Sequence, residues 1–280
     1  MHERLLPGLY IVATPIGNLS DLSPHAAAIL ACADLLAVED SRITAKLLAH
    51  IGTKRPMTPY HDHNADRVRA GLVAQMADKA IALVSDAGTP LISDPGYKLV
   101  RDARAAGRHV TTIAGPSAAI AALTLAGLPT DRFFFLGFLP AKAGARKAAI
   151  AEAATVRATL IFYESAPRLA ATLAALHEGL GAREAAVVRE ISKKFEETIT
   201  GTLAALAARF QETPTKGEIV LVVAPPGASE PAGDEELDAA LRQALGTLSP
   251  SRAAASVAEA LGLPRRRVYE RALALGPKLK

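Results

Sequence analysis

The residues best suited to chemistry in this 280-residue chain sit in a few short polar stretches, most of them following an apolar run. The densest is Ser85-Asp86-Ala87-Gly88-Thr89-Pro90-Leu91-Ile92-Ser93-Asp94-Pro95-Gly96. It holds two glycines, two prolines and two aspartates, far more than a plain strand-to-helix connection needs. A stiff polar loop of this kind reads as the floor of a binding site. Three further loops share its setting. Thr14-Pro15-Ile16-Gly17-Asn18-Leu19 is tight, with a glycine and an asparagine that tolerate unusual backbone angles. Glu39-Asp40-Ser41-Arg42 offers two carboxylates beside an arginine, able either to cap the helix that follows or to hydrogen-bond a polar ligand. Ala114-Gly115-Pro116-Ser117-Ala118 joins small residues, which let a ligand approach the backbone, to a helix start with unused N–H groups. Later in the chain, Tyr163-Glu164-Ser165-Ala166-Pro167-Arg168 follows a buried run. Arg189-Glu190-Ile191-Ser192-Lys193-Lys194-Phe195-Glu196-Glu197 crowds charges between two strands, and Lys216-Gly217-Glu218 opens the last strand.

Several chemistries lack their residues. The first loop has no GxGxxG, so a dinucleotide site of the Rossmann type is not supported, and no GxxxxGK[ST] marks a P-loop. No nucleophile elbow points to a hydrolase. The single cysteine, Cys32, excludes an intramolecular disulfide, and with no CxxC, HExxH or His-rich set no metal site is expected. The net charge is only +4, but Arg265, Arg266, Arg267, Arg271, Lys278 and Lys280 cluster near the end. Such a cluster either attracts a polyanion or forms a solvated helix face. No apolar run reaches 18 residues and the first six residues carry charges, so the expectation is a cytoplasmic protein without a membrane span. Half the residues are hydrophobic yet only 4% are aromatic, which favours closely packed, alanine-rich helices around a sizeable core.

The elements that must position these loops follow from periodicity. Apolar runs at Gly8–Ala13, Leu35–Val38, Ala80–Val84 and His109–Ile113 read as strands. Between and after them come helices: one from the Ser23-Pro24 cap to Cys32, then Ser41–His50, Asn64–Ala77, one capped by Asp94-Pro95 and ending at Gly107, and Ser117–Ala126. This alternation predicts a mostly parallel sheet. A second unit has strands at Arg132–Gly137, Thr159–Tyr163, Ala185–Arg189, Glu197–Gly201 and Glu218–Ala224, with helices at Ala143–Ala153, Pro167–Leu176 and from the Thr202 cap to Phe210. Some of its strands follow one another directly, so its sheet is expected to be mixed. Pro225–Gly233 reads as a linker. Helices at Asp234–Leu245, Ser251–Leu261 and Pro264–Leu275 close the chain, the last two with helix-turn-helix spacing. The expected domains are 1–125, 126–226 and a linker with a helical module over 227–280.

The motifs VATPIGNLSDLSP, VEDSR, SDAGTPLISDPG, AGPSA, FLGFLP, FYESAPRL, REISKKFEE and KGEIVLV, in this order across most of residues 8–224, resemble the tetrapyrrole-methylase family of methyltransferases. They are most similar to its branch of small-subunit ribosomal RNA 2′-O-methyltransferases. The resemblance implies an α/β, two-domain class III methyltransferase fold with a small C-terminal all-α module of helix-turn-helix type. It implies a homodimer that binds S-adenosyl-L-methionine and methylates a cytidine 2′-hydroxyl in the decoding region of 16S rRNA within the small ribosomal subunit. It implies cofactor contacts from Gly17, Ser85, Asp86, Ala87, Gly88, Thr89, Pro90, Gly115, Pro116, Ser117, Ala118 and Tyr163. Activation of the hydroxyl is expected from Lys193 or Lys194, oriented by Glu196 or Glu164, with Arg189, Asp94 and Glu39 as other candidates. RNA contacts are expected from Arg42, Arg168, Arg189, Arg265, Arg266 and Arg267. Porphyrin-modifying members carry a glycine-rich GxGPGD-like first loop where this chain has Ala13-Thr14-Pro15-Ile16-Gly17-Asn18, which argues against a tetrapyrrole substrate. The remaining alternative is a non-enzymatic nucleic-acid-binding regulator, which would leave the polar loops without a use.

Overall fold

The structure, a computed structural model, describes residues 4–227, 234–261 and 263–275. Residues 1–3, residues 228–233 of the linker, Gly262, Lys278 and Lys280 lie outside the described residues. The chain divides into two compact units between Pro225 and Pro226.

The first unit begins with a sheet of β1 (Gly8–Val12), β2 (Leu35–Val38), β3 (Met57–Pro59), β4 (Ala80–Val84) and β5 (Val110–Ile113). Their order is β3-β2-β4-β1-β5 and every pairing is parallel. β4 reads AIALV and is buried along its whole length, as a central strand covered on both faces must be. Helices α1 (Pro24–Cys32) and α2 (Ser41–His50) cover one face through Ala26, Ile29, Leu30, Leu47 and Leu48. Helices α3 (Ala65–Gln75) and α4 (Tyr97–Ala105) cover the other through Leu72, Met76, Leu99 and Ala103. Sequence periodicity did not resolve β3: it is three residues long and ends in Pro59, a short edge strand.

The second sheet holds β6 (Phe133–Phe138), β7 (Thr159–Ser165), β8 (Glu184–Arg189), β9 (Glu197–Thr202) and β10 (Glu218–Val223), in the order β6-β7-β10-β8-β9. Only β6 and β7 run parallel, so the sheet is mixed. Helices α6 (Ala143–Ala154), α7 (Leu169–Leu180) and α8 (Leu203–Glu212) bury one face of it. The other face is covered by α5 (Ala118–Leu125), which leaves the end of the first sheet and packs Ala119, Ala122 and Leu123 on Ile161, Val188, Val220 and Val222. One helix thus serves both halves. β7 runs two residues past the expected Tyr163, because Glu164 and Ser165 remain paired with Ile219 and Glu218 of β10.

The predicted caps divide. Ser23 accepts a hydrogen bond from the Ala26 N–H, and Thr202 one from the Ala205 N–H, as capping side chains do. Asp94 does not cap α4: the capping position falls on Gly96, with φ 141°, and the aspartate is left for another use.

Among the described residues, the second unit is three helices, α9 (Asp234–Leu245), α10 (Pro250–Leu261) and α11 (Arg265–Leu275), closed around Leu237, Leu241, Ala254, Val257, Leu263, Val268 and Ala272.

Candidate active site

The loops that follow β1, β2, β4 and β5 meet at the carboxyl end of the parallel sheet, where open α/β sheets bind ligands. They are tied by specific bonds. Thr14 and Gly88 exchange backbone hydrogen bonds of 2.9 and 3.1 Å. The Thr89 hydroxyl donates to the Pro116 carbonyl at 2.9 Å. The Asp40 N–H donates to the Asp86 carboxylate at 3.0 Å, and the Asp86 N–H reaches Glu39 at 3.5 Å. Gly115 permits the closest of these approaches, since a Cβ there would lie 2.9 Å from the Cβ of Ala13.

Between this floor and the second sheet lies a cavity of about 410 Å³, within the range of small-molecule sites. The first sheet lines it with Ile16, Glu39, Asp86, Ala87, Gly88, Thr89, Ile92, Ser93, Asp94, Ser117 and Ala118. The second contributes Phe138, Tyr163, Glu164, Ser165, Ile191, Gly217, Glu218, Ile219 and Val220. One side is therefore acidic and the other largely apolar. Burial raises the pKa of Glu39 and of Asp86. Asp94 is raised most, to about 6, by burial first and then by the charge of Glu39. A carboxylate in that range is ionised at neutral pH and still basic enough to accept a proton.

Of the residues singled out from sequence, Glu39, Asp86, Ala87, Gly88, Thr89, Asp94, Ser117, Ala118, Tyr163 and Glu164 face the cavity. Ser85, Pro90, Gly115 and Pro116 stand behind it and hold the loops together: Ser85 and Pro90 are buried, and the Pro116 carbonyl receives Thr89. Gly17 is exposed and lies against Lys193 and Ile191. Glu164 reaches the cavity wall with its carboxylate already engaged. It accepts hydrogen bonds from the Ser165 N–H at 2.7 Å and the Thr172 hydroxyl at 2.6 Å, and pairs with Arg168 at 3.3 Å. Arg168 in turn donates to the Leu139 carbonyl at 2.6 Å.

The 189–197 stretch is a strap rather than a set of loose charges. Glu190 and Ser192 both adopt the left-handed backbone region, at φ 51° and 64°, a strained choice for residues other than glycine. The Ser192 hydroxyl donates to Asp21 of the first loop. Lys193 Nζ sits 3.0 Å from Glu190 and 3.0 Å from Glu218. Burial alone would depress this lysine, but its bonds to the two carboxylates outweigh that and hold it above its usual pKa. Arg189 donates to Glu197 and to the Lys216 carbonyl, both at 3.1 Å, and Glu196 accepts from the Ser192 N–H at 2.6 Å. Lys194, over the Phe195 ring, and Arg42, paired with Asp40, reach solvent.

Phe138, Ile92, Ser93, Ile191, Ile219 and Val220 also line the cavity and are not among the site residues expected from sequence. These read as ordinary apolar or loop positions, and only the meeting of the two sheets turns them toward one cavity. Gly217 carried a faint signal. Its missing Cβ leaves room for the Glu190 carboxylate, and its φ of 95° is one that glycine adopts freely.

Residues 8–207 match the tetrapyrrole (corrin/porphyrin) methylases. The chain belongs to the tetrapyrrole methylase family. Residues 231–276 match the domain described as the RsmI C-terminal HTH domain. Among curated relatives, a "Ribosomal RNA small subunit methyltransferase I" from Erythrobacter litoralis is 54% identical over 273 residues, covering 98% of this chain and 97% of its own length. The protein of the same name from Mesorhizobium japonicum is 47% identical, covering 97% and 93%. Among solved structures, diphthine synthase superposes with a TM-score of 0.61 at 14% identity, over 77% of this chain and 89% of its own. Uroporphyrin-III C-methyl transferase from Thermus thermophilus, complexed with S-adenyl homocysteine, gives 0.56 at 18% identity, over 78% and 97%. These two likenesses carry the family's fold.

Proposed function

We propose that this family member is an S-adenosylmethionine-dependent enzyme that methylates the 2′-hydroxyl of a cytidine ribose in the decoding region of 16S rRNA. The full-length likeness to the small-subunit ribosomal RNA methyltransferases carries this reading. The cavity fits the cofactor by its chemistry. The backbone of Asp86–Thr89 and the N–H groups at the start of α5 would hold its polar parts, Tyr163, Ile219 and Val220 would cover its purine, and the acidic wall suits its positive charges. Bound there, S-adenosylmethionine supplies an electrophilic methyl group. The protein's part is to hold the ribose hydroxyl in line and to take its proton. Among the lining residues we assign the proton to Asp94, ionised above pH 6 and not used as a helix cap. Glu164 and Lys193, both engaged by partners, position the wall and the strap; Lys194 and Arg42 meet phosphates from solvent.

We read residues 1–125 and 126–226 as the two walls of the site and 227–280 as an RNA-binding module. The enzyme would work in the cytoplasm on the assembled small subunit, as a homodimer. Exposed Phe133 and Phe134 on the edge strand β6 supply an apolar face for a second copy, and a sedimentation mass of one chain would remove that part of the reading. The test of function is tritiated methyl transfer to small subunits from cells lacking the modification, with nuclease mapping. Label on a cytidine ribose in the decoding region is the expected result. Label on neither subunits nor naked rRNA would return the substrate to small molecules.

The arginines of α11 divide by their partners. Arg267 pairs with Asp234 at 3.1 Å, and Arg271 grips Asp238 through two bonds of 2.6 and 2.8 Å, so these two stitch α11 to α9. Arg265 points to solvent, and Arg266, 91% exposed, pairs at 3.0 Å with Glu270 one turn along the same helix rather than with α9. Replacing both Arg265 and Arg266 with alanine should weaken binding to 16S rRNA and flatten the logarithmic salt dependence by about one per arginine, with melting unchanged. Arg271→Ala should instead lower the stability of the helical unit. An unchanged salt slope in filter binding by the double variant would clear these two arginines of phosphate contact.

A further inference from the structure

Ile92 and Phe138 are the large apolar side chains that line the cavity and yet remain exposed, at 40% and 56%. They come from different sheets but stand close together. Ser93 Oγ lies 2.9 Å from where a Cβ of Gly137 would be, so the residues following Ile92 and preceding Phe138 touch. Each is held in place at some cost. Leu91 and Ser93, on either side of Ile92, are both left-handed, at φ 76° and 66°. β6 is irregular between Phe135 and Gly137, and Gly137 takes φ 64°, which turns Phe138 to the same side as Phe135. The Phe138 ring is then braced edge-on by Tyr163, at 5.6 Å between centroids and 63° between planes, which leaves a ring face open. The deeper lining differs: Gly88, Glu164, Ile219 and Val220 are buried, forming the enclosed part where a small molecule is held.

We propose that Phe138, with Ile92 beside it, is the platform on which the nucleobase of the target nucleotide rests once it has left the RNA stack. The inference builds on the proposed rRNA methyl transfer. The reacting atoms meet in a cavity between two sheets, so a ribose of a folded RNA reaches them by its nucleotide leaving the stack, and extruded bases are received between aromatic and apolar side chains. The platform belongs to the entering base rather than to the cofactor's purine, because it is exposed at the rim while the enclosed wall is made by Tyr163, Ile219 and Val220. A braced, open aromatic ring stacks on any base, so Phe138 supplies grip and not base identity.

The test compares Phe138→Ala, Phe138→Leu and Phe138→Tyr in the full-length protein. The readouts are kcat/KM on unmethylated small ribosomal subunits and, separately, the Kd for S-adenosylmethionine by calorimetry. Phe138→Tyr is expected to stay within about twofold of wild type, while Ala and Leu lose roughly ten- to a hundredfold in kcat/KM. The cofactor Kd should hold for all three. Full activity in the leucine variant would reduce Phe138 to an apolar cover and overturn the proposal. So would a cofactor Kd that rises in step with the lost activity, which would give the ring to the cofactor's purine. A wild-type enzyme that binds S-adenosylmethionine but methylates no RNA overturns the function and the platform together, a result distinct from wild-type activity that Phe138→Ala leaves intact.

Discussion

Asp94→Asn is expected to remove most of the turnover and at the same time to raise the melting temperature. The carboxylate lines the cavity, and its pKa is lifted from 3.8 to about 6, by burial first and by Glu39 next. As the group that accepts the ribose proton, it should contribute a rate factor of roughly 10²–10⁴ that asparagine cannot supply. Its effect on stability has the opposite sign. A carboxyl whose folded pKa lies above its unfolded value binds more protons in the native state, so stability declines as pH rises from about 4 to 6 and the loss is complete above that window. At pH 7 the ionised group, half-buried and partly screened by solvent, costs about 1–2 kcal/mol, which the neutral, equally sized amide relieves. At about 2–4 °C per kcal/mol for a unit of this size, calorimetry should show a gain of several degrees. The wild-type kcat should climb through pH 6 and then level off, and that limb should vanish in the variant. Full turnover by Asp94→Asn, or a wild-type rate flat from pH 5 to 7, would take the proton away from Asp94.

Gly17→Ala should cripple the enzyme from outside the cavity. An added methyl would stand 2.5 Å from Cγ of Lys193 and 2.7 Å from the carbonyl oxygen of Ile191. Neither neighbour can yield cheaply. Lys193 is anchored by Glu190 and Glu218, and the Ile191 carbonyl belongs to a backbone already strained at Glu190 and Ser192. The strap must lift away from the first loop, breaking the bond from Ser192 to Asp21 and moving Ile191, which lines the cavity. Overpacking of this kind costs about 1–3 kcal/mol, and a displaced wall should lower kcat/KM by at least about tenfold. Gly71→Ala is the control: nothing lies within 4 Å of its added methyl, in the middle of α3, so it should gain up to about 1 kcal/mol. If Gly17→Ala matches that control in melting and in rate, the strap is looser than its distances imply.

Much of this architecture was legible in the chain itself. The alternation of apolar runs and capped helices across residues 8–125 sufficed for a parallel sheet, and the lack of helices between β8 and β9 sufficed for a mixed one. The polar loops announced themselves by glycine, proline and aspartate packed after buried strands. These are local properties, set by residues within a turn or two of one another, so sequence determines them alone. Tertiary structure decided which members of those loops face the cavity. Asp94 reads as a helix cap until Gly96 takes the cap and Glu39, fifty-five positions earlier, is found beside the same cavity. Arg168, Arg189 and Lys193 read as available charges, and the fold brings the Leu139 carbonyl to the first, Glu197 to the second and Glu218 to the third, while Glu164 is engaged locally by Arg168 and Thr172. Ile92 and Phe138 read as unremarkable apolar residues until two loops from different sheets touch at Ser93 and Gly137. The difference is physical: a side chain's solvation, partners and pKa depend on atoms far away along the chain, and no spacing or period records them.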